Sequence, residues 1–405
     1  MPSRVRSERS VVAFLAFLSV ILAFGIDASL PAFEELREQF GLKDGSGEVS
    51  LIVTSYFLGM ASGQLLWGLL SDRYGRKPAL LGGLALYVVG AAAAALAGTM
   101  GFLLFARFLW GTGAAAPSVL RNSIARDLYS GDRLARITSL TMAIFLIGPA
   151  IAPSIGELIL LAGSWRWIFA TGVLLGAAGI AWTIRFGETL EPENVRAIDR
   201  RSVMASAQVF FHNRWTMGYS MAITFSSGAF FIYLGSGQPI VDEIYGYGDW
   251  FAAFFALTAA VIGITVLASS RVIGRFGAER VGRTASIAMV ASAVTFLVVC
   301  LATDGTPPFW FWLASVSVFG AVTTVATPVY VAMAMTPVAR IAGVASGLNG
   351  ILTIGIGSLL AAAFDRLIDD TVTPMAVGFV LYSTLAFFAR AWARGGSDEV
   401  VEPAA

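Results

Sequence analysis

Three ionisable residues, Asp27, Arg107 and Glu157, sit inside long apolar runs. A charge near the middle of a bilayer costs at least about 2.5–3.5 kcal/mol, so such a group faces a partner or a wet cavity. Asp27 and Arg107 each lie about six residues from the same end of their runs, roughly 9 Å deep at 1.5 Å per residue. Glu157 falls at about that depth, and the three together predict a shared polar site. A carboxyl set beside a guanidinium can gain or lose a proton as burial and pairing change. Other chemistries fail on composition. One cysteine, Cys300, allows no intrachain disulfide or thiolate cluster, and the one histidine, His212, lies in a polar stretch. No catalytic triad, metal set or phosphate loop can be assembled, so neither an enzyme nor a cofactor or metal is expected.

The elements that must hold these groups follow from composition. The 405 residues are 57% hydrophobic and 13% charged, with a net charge of +1. Average soluble domains carry about 25% charge. So few charges cannot cover a water-facing surface, and a nucleic-acid binder would need a basic excess. Runs of about 20 apolar residues cross the hydrocarbon layer as helices. Twelve are predicted, over 11–33, 49–70, 78–98, 101–121, 137–164, 167–186, 215–240, 250–270, 282–302, 308–335, 341–364 and 373–393. Stretches such as Ala91–Ala97 do not alternate, which excludes a β-barrel. The first run is too long for a signal-peptide core and carries Asp27, so it reads as a span.

Basic residues orient the helices. Arg37, Lys43, Arg166 and Arg366 lie in loops on one side and Arg107 lies inside a span, while all other Lys and Arg fall on the side of the termini. By the positive-inside rule both termini are expected in the cytoplasm of a multi-pass protein. The opposite loops are acidic, with Glu34, Glu35, Glu38, Asp242, Glu243, Asp249, Asp369 and Asp370. A polar stretch, 187–214, divides the chain into an N-terminal six-helix bundle (1–186) and a C-terminal one (215–405). Arg73-Tyr74-Gly75 after the second span is echoed by Arg275-Phe276-Gly277 after the eighth. Parallel six-helix halves with a site between them are a transporter architecture. A sensor or scaffold would need an added signalling domain, and ATP-driven pumping would need a nucleotide-binding one.

Motifs narrow the class. Gly68-Leu69-Leu70-Ser71-Asp72-Arg73-Tyr74-Gly75-Arg76-Lys77, between the second and third spans, resembles the G-x-L-x-D-R-x-G-R-K/R loop of the major facilitator superfamily. That resemblance implies an all-α membrane protein of twelve helices in two pseudo-symmetric bundles. It also implies that Asp72 clasps the halves on the cytoplasmic side and that Arg73 and Arg76 join a charge relay. Gly75 suits the tight turn, and Asp72 could also accept from a helix N-terminus across the interface. The fifth span holds Gly148-Pro149-Ala150-Ile151-Ala152-Pro153-Ser154-Ile155-Gly156, which resembles the motif of drug:proton antiporters. Gly148, Ala152 and Gly156 make a smooth face for another helix, and Pro149 and Pro153 remove backbone donors. Glu157 stands where that family usually has a small residue. Asp27-Ala28-Ser29-Leu30-Pro31 and Arg107-Phe108-Leu109-Trp110-Gly111 resemble strings of the bicyclomycin-resistance-like (Bcr/CflA) antiporters, as do Leu234–Pro239 and Ala342–Gly350.

The resemblance implies a secondary transporter of the bacterial inner membrane that exports drug-like, amphipathic small molecules in exchange for protons. Its expected partners are the lipid bilayer, protons and cargo, and it is expected to act as a monomer driven by the proton-motive force. A specific metabolite as cargo, exported or imported, is the other reading. Asp27 is expected to exchange the proton with Arg107 as its partner; a static pair joining spans one and four is the alternative. Glu157 reads either as a second proton or cation site or as an interfacial residue. Tyr56, Phe57, Met60, Phe230, Tyr233, Gln238 and Asn349 are candidates to line the cavity, the two amides because amides in hydrocarbon need partners.

Overall fold

The computed structural model describes residues 7–42, 47–191 and 200–395. Arg4, Arg6, Lys43 and Arg196, the side chain of Pro149 and parts of the 187–214 stretch lie outside the described residues. Helices α1 (Glu8–Asp27), α3 (Leu51–Tyr74), α4 (Arg76–Ala95), α5 (Met100–Leu128), α6 (Gly131–Ala162) and α7 (Arg166–Phe186) form one bundle. Helices α9 (Arg214–Pro239), α10 (Phe251–Phe276), α11 (Ala278–Ala302), α12 (Phe309–Met335), α13 (Ala342–Gly350), α14 (Gly357–Asp365) and α15 (Thr373–Arg394) form the other. Short helix α2 (Phe33–Phe40) ends the first candidate span, and α8 (Arg200–His212) lies outside the spans. Eleven helical stretches among the described residues are long and apolar enough to cross a membrane. The continuous 32-residue α6 is the twelfth long element.

Local chemistry sets the helix ends. Ser7, Thr99 and Asn213 cap α1, α5 and α9 by accepting from the amides of Ser10, Phe102 and Thr216. The first span, Glu8–Phe40, contains the expected 11–33 but is not one regular α-helix. A proline ring clashes with the carbonyl four residues back, and for Pro31 that carbonyl belongs to Asp27. The α-helix therefore stops at Asp27, and a 3-10 turn over Leu30–Ala32 leads into α2. Asp27 thus closes its helix rather than lying six residues inside it. The eleventh span is not one regular helix either, because a π-helical stretch, Ile351–Ile356, separates α13 from α14.

The first half is organised around the backbone of α5. A Cβ at Gly111 would collide with the carbonyl of Tyr56 on α3, and one at Gly113 with the amide of Tyr87 on α4. Gly59 of α3 meets the carbonyl of Phe108 in the same way. Glycine lets these helices touch backbone to backbone, as small residues do in membrane bundles. This fixes Arg107, one turn before Gly111, against α1 and α3.

The halves meet along two helix pairs. α6 packs on α10, and α3 runs along α13, the π-helical stretch and α14. Cβ atoms built at Gly347, Gly350 and Gly355 would lie 3.0–3.1 Å from Leu65, Gln64 and Ala61 of α3, and Phe57 stacks on Phe231 of α9 at 4.5 Å. At the acidic face the halves are shut, with Arg37 of α2 pairing with Glu243 of the other half at 2.6 Å. At the arginine-rich face they part around a cavity of about 870 Å³.

Gly111→Ala is expected to destabilise the protein by about 1–3 kcal/mol through overpacking. Gly101→Ala, with nothing within 4 Å of the added methyl, should leave stability unchanged. Thermal unfolding of the detergent-solubilised variants compares the two.

Candidate functional site

Arg107 is fully buried at the centre of the first half. Its Nη1 donates to the carbonyl of Gly25 at 2.8 Å and its Nε to that of Ile52 at 3.1 Å. The guanidinium carbon lies 4.5 Å from the ring centre of Tyr56 and 5.0 Å from that of Trp110, distances at which an aromatic face attracts a cation. Gly25 leaves room for the Tyr56 hydroxyl, which a Cβ there would strike. Arg107 Nη2 and Tyr56 Oη are buried without a protein hydrogen-bond partner.

Asp27 is 2% exposed. It interacts electrostatically with Arg107 and Tyr56, and with Tyr233 of the opposite half. It makes no ion-pair contact with Arg107, so the two are neighbours without being joined. The static pair considered from the sequence is therefore not what holds α1 to α5; the Gly25 carbonyl does that. The antiporter-like face of α6 lies on the same stretch of α1. Cβ atoms at Gly148 and Gly156 would collide with Ala23 and with the carbonyl of Ala28. Pro153 is buried and Glu157 half-buried. Glu157 makes no hydrogen bond or ion pair among the described residues, so the structure does not draw it into a common site with Asp27 and Arg107.

The candidate cavity residues are packed rather than open. Tyr56 lies under Arg107, and Met60 is 4% exposed. Tyr233 stacks on Phe255 at 5.6 Å and packs against the half-buried Phe230. Gln238 donates to Asp242 at 3.2 Å, while its Oε1 and the Oδ1 of Asn349 are buried without a partner. The open cavity lies nearer the arginine-rich face, lined by Gln64, Asp72, Arg76, Arg121, Asn122 and Arg340, with Ser202 and Ser206 of α8.

The loop after α3 forms a charge cluster there. Arg76 bonds Asp72 at 2.5 Å and Asp127 at the end of α5 at 2.9 Å. Gly75 has φ +102°, a conformation that glycine alone adopts without strain, and a Cβ at Gly68 would lie 3.9 Å from Val119. Arg73, expected in the relay, is exposed and forms no ion pair among the described residues. The N-terminus of the neighbouring helix α4 is served by another acid. Glu188 accepts from the amides of Arg76 (2.8 Å) and Lys77 (3.0 Å), capping α4. Asp72 faces the start of α13 across the seam, 3.9 Å from a Cβ built at Gly343.

Sequence reasoning missed Glu188, Asp127, Arg37 with Glu243, and Asp365. Asp365 is 1% exposed at the end of α14 and accepts from Ser236 of α9 at 2.6 Å.

Two helical bundles enclosing a buried polar core and a cavity at their seam define a multi-pass membrane transporter rather than an enzyme. Residues 15–362 match the model of the Major Facilitator Superfamily, and the chain belongs to that superfamily. Its relatives fall in the bicyclomycin-resistance-like group that the motifs resemble. The bicyclomycin resistance protein homolog of Haemophilus influenzae is 29% identical, over 92% of this chain and 94% of its own. The multidrug resistance protein MdtL of Escherichia coli is 27% identical over 84% and 85%. The MFS-type transporter YdgK of Bacillus subtilis is 30% identical over 96% and 98%. The fold matches that of a D-xylose-proton symporter with TM-score 0.76 at 14% identity, covering 95% of this chain and 97% of that one.

Arg107→Lys keeps the charge but replaces a planar fork that reaches two carbonyls with a single ammonium. It is expected to cost about 1.5–3 kcal/mol, the worth of one hydrogen bond to a charged group. Arg73→Lys, at an exposed site, is the control in the same unfolding assay.

Proposed function

We propose that this transporter sits in the bacterial inner membrane with both termini in the cytoplasm, and exports drug-like small molecules in exchange for protons. It works as a monomer and draws on the proton-motive force alone. The arginine-rich face is then cytoplasmic, and the 870 Å³ cavity is open to cargo from inside while the acidic outer face is closed. The mix of charged and apolar walls suits an amphipathic molecule. The names of the bicyclomycin and multidrug resistance relatives support drugs over a single metabolite.

The observation that carries the reading is the Asp27 carboxyl, buried beside a guanidinium it does not touch. A proton on Asp27 removes the attraction between the two groups; its loss restores it. Rocking of the halves exposes Asp27 first to one side and then to the other. A proton entering from outside and leaving inside brings about 2.3 kcal/mol per 100 mV of potential, which drives cargo the opposite way. Glu157, half-buried beside the glycine face of α6, is the candidate contact for cationic cargo.

Everted vesicles with a pre-formed pH gradient test this directly. Wild-type protein should dissipate the gradient on addition of some members of a drug panel, and Asp27→Asn, expressed equally well, should lose that response at least about tenfold, the equivalent of 1.4 kcal/mol. Equal dissipation by Asp27→Asn would remove Asp27 from the mechanism, and a response to one metabolite alone would favour a dedicated exporter. Glu157→Gln should weaken transport of cationic compounds more than of neutral ones in the same vesicles; equal losses would place Glu157 outside the cargo path.

A further inference from the structure

The acidic face is closed by more than the Arg37–Glu243 pair. Ser50, at the entry to α3 in the first half, and Ser236, on α9 in the second, both donate to the Asp365 carboxyl. One side chain therefore ties three segments from two halves. Gly235 makes this possible, since a Cβ there would lie 2.6 Å from an Asp365 oxygen. The space around the contact, bordered by Pro239, Glu243, Ile244 and Ile368, is only about 10 Å³, close to the minimum for a single water.

We propose that Asp365 is a proton-operated latch of this outer gate, neutral and serine-bonded while the face is shut, ionised and hydrated when it opens. The argument is one of charge. Two serine hydroxyls solvate the carboxyl, and no cation among the described residues is set against it. Glu243 is already paired with Arg37, Asp369 and Arg366 are exposed, and Tyr382 of α15 turns its hydroxyl to the carbonyl of Leu360. A lone carboxylate enclosed in a membrane helix costs several kcal/mol more than its acid. Closing the gate therefore takes a proton from water on the acidic face, and opening returns it to the same water. No net charge crosses the membrane, so the latch adds pH sensitivity to the gate without adding a second coupled proton. The rest of the seam works in the same sense. Glu34 and Glu38 of α2 are electrostatic neighbours of each other, and Asp242 of the opposite half neighbours Glu34. Closure crowds these acids, and acid relieves the crowding.

The proposal rests on the halves rocking, which the family supplies, and not on Asp27 or on drug as cargo. Its test reads the gate directly. Spin labels at exposed Gln39 and Tyr247, one on each half at the acidic face, report the opening by pulsed distance measurement in nanodiscs. Wild type should shift from short to long distances between acid and alkaline buffer. Asp365→Asn, which keeps an acceptor for the serines and cannot ionise, should stay short at both, while Asp27→Asn and Glu34→Gln should keep most of the shift. An alkaline opening that persists in Asp365→Asn, or is lost in Glu34→Gln instead, would overturn the latch. Should Asp365→Asn fail to assemble, Ser236→Ala with Ser50→Ala is the second variant; it should shift the opening toward acid, and an unmoved transition counts against the proposal. The vesicle assay can fail for every compound while this transition remains, so the two ideas fall separately.

Discussion

The first half is built around one buried guanidinium. Taking an arginine out of water costs several kcal/mol even after relaxation, and each charge-assisted hydrogen bond returns about 1.5–3 kcal/mol. Arg107 recovers that cost from two backbone carbonyls and the faces of Tyr56 and Trp110. Those partners belong to α1, α3 and α5 itself, so satisfying one side chain fixes three helices. The glycines that bring the α3 and α5 backbones into contact serve the same end, because Ile52 must come within reach of Nε. Since carbonyls hold the arginine, Asp27 is free to change its charge without undoing the bundle. A proton site whose loss of charge also unfolded its surroundings could not cycle.

The seam has a different character. Along α3 the second half presents glycines to Ala61, Gln64 and Leu65, beside one aromatic stack. Smooth surfaces of this kind can roll or slide without breaking directional bonds. The charged contacts across the seam lie at the acidic face, with Arg37–Glu243 and Asp365, while the Asp72–Arg76–Asp127 cluster at the other end lies within the first half. The π-helical stretch over Ile351–Ile356 lies where the eleventh span meets α3, and such local departures from the α-helix mark functional positions. Adhesion at the closed end and smoothness in the middle suit a pair of rigid bodies that rock.

Much of the fold was legible because bilayer thickness sets the length of an apolar run. The spans and the all-helical class needed no more than that. The irregularities were less visible. Pro31 carried the signal that ended α1 at Asp27, but the apolar residues around it continued the run. Nothing in Ile351–Ile356 distinguishes a π-helical stretch by composition. Within the site, residue types were legible and partners were not. The acceptors of Arg107 are the carbonyls of Gly25 and Ile52, and a carbonyl is present at every position. Tyr56 was expected against cargo and is instead pressed against Arg107. Asp365 stayed hidden because a carboxyl at the end of a span looks the same whether it turns out to water or in against Ser236.

The ending of α1 gives the polar core a mechanical connection that composition alone does not suggest. Asp27 is the last residue of that helix, and the 3-10 turn at Leu30–Ala32 passes directly into α2, which carries Arg37. Leu30, Ala32, Phe33 and Leu36 are all buried, so this short segment is packed. α6 clasps the same junction, with Gly156 against the carbonyl of Ala28. In the proposed cycle, a change in the pull between Asp27 and Arg107 acts on the end of α1, and the packed turn carries it to Arg37 and so to Glu243. A glycine at 156 lets α6 stay in contact while the junction shifts, where a larger residue would wedge it. The antiporter-like motif and the buried acid, read as separate signals in the sequence, are two sides of one joint.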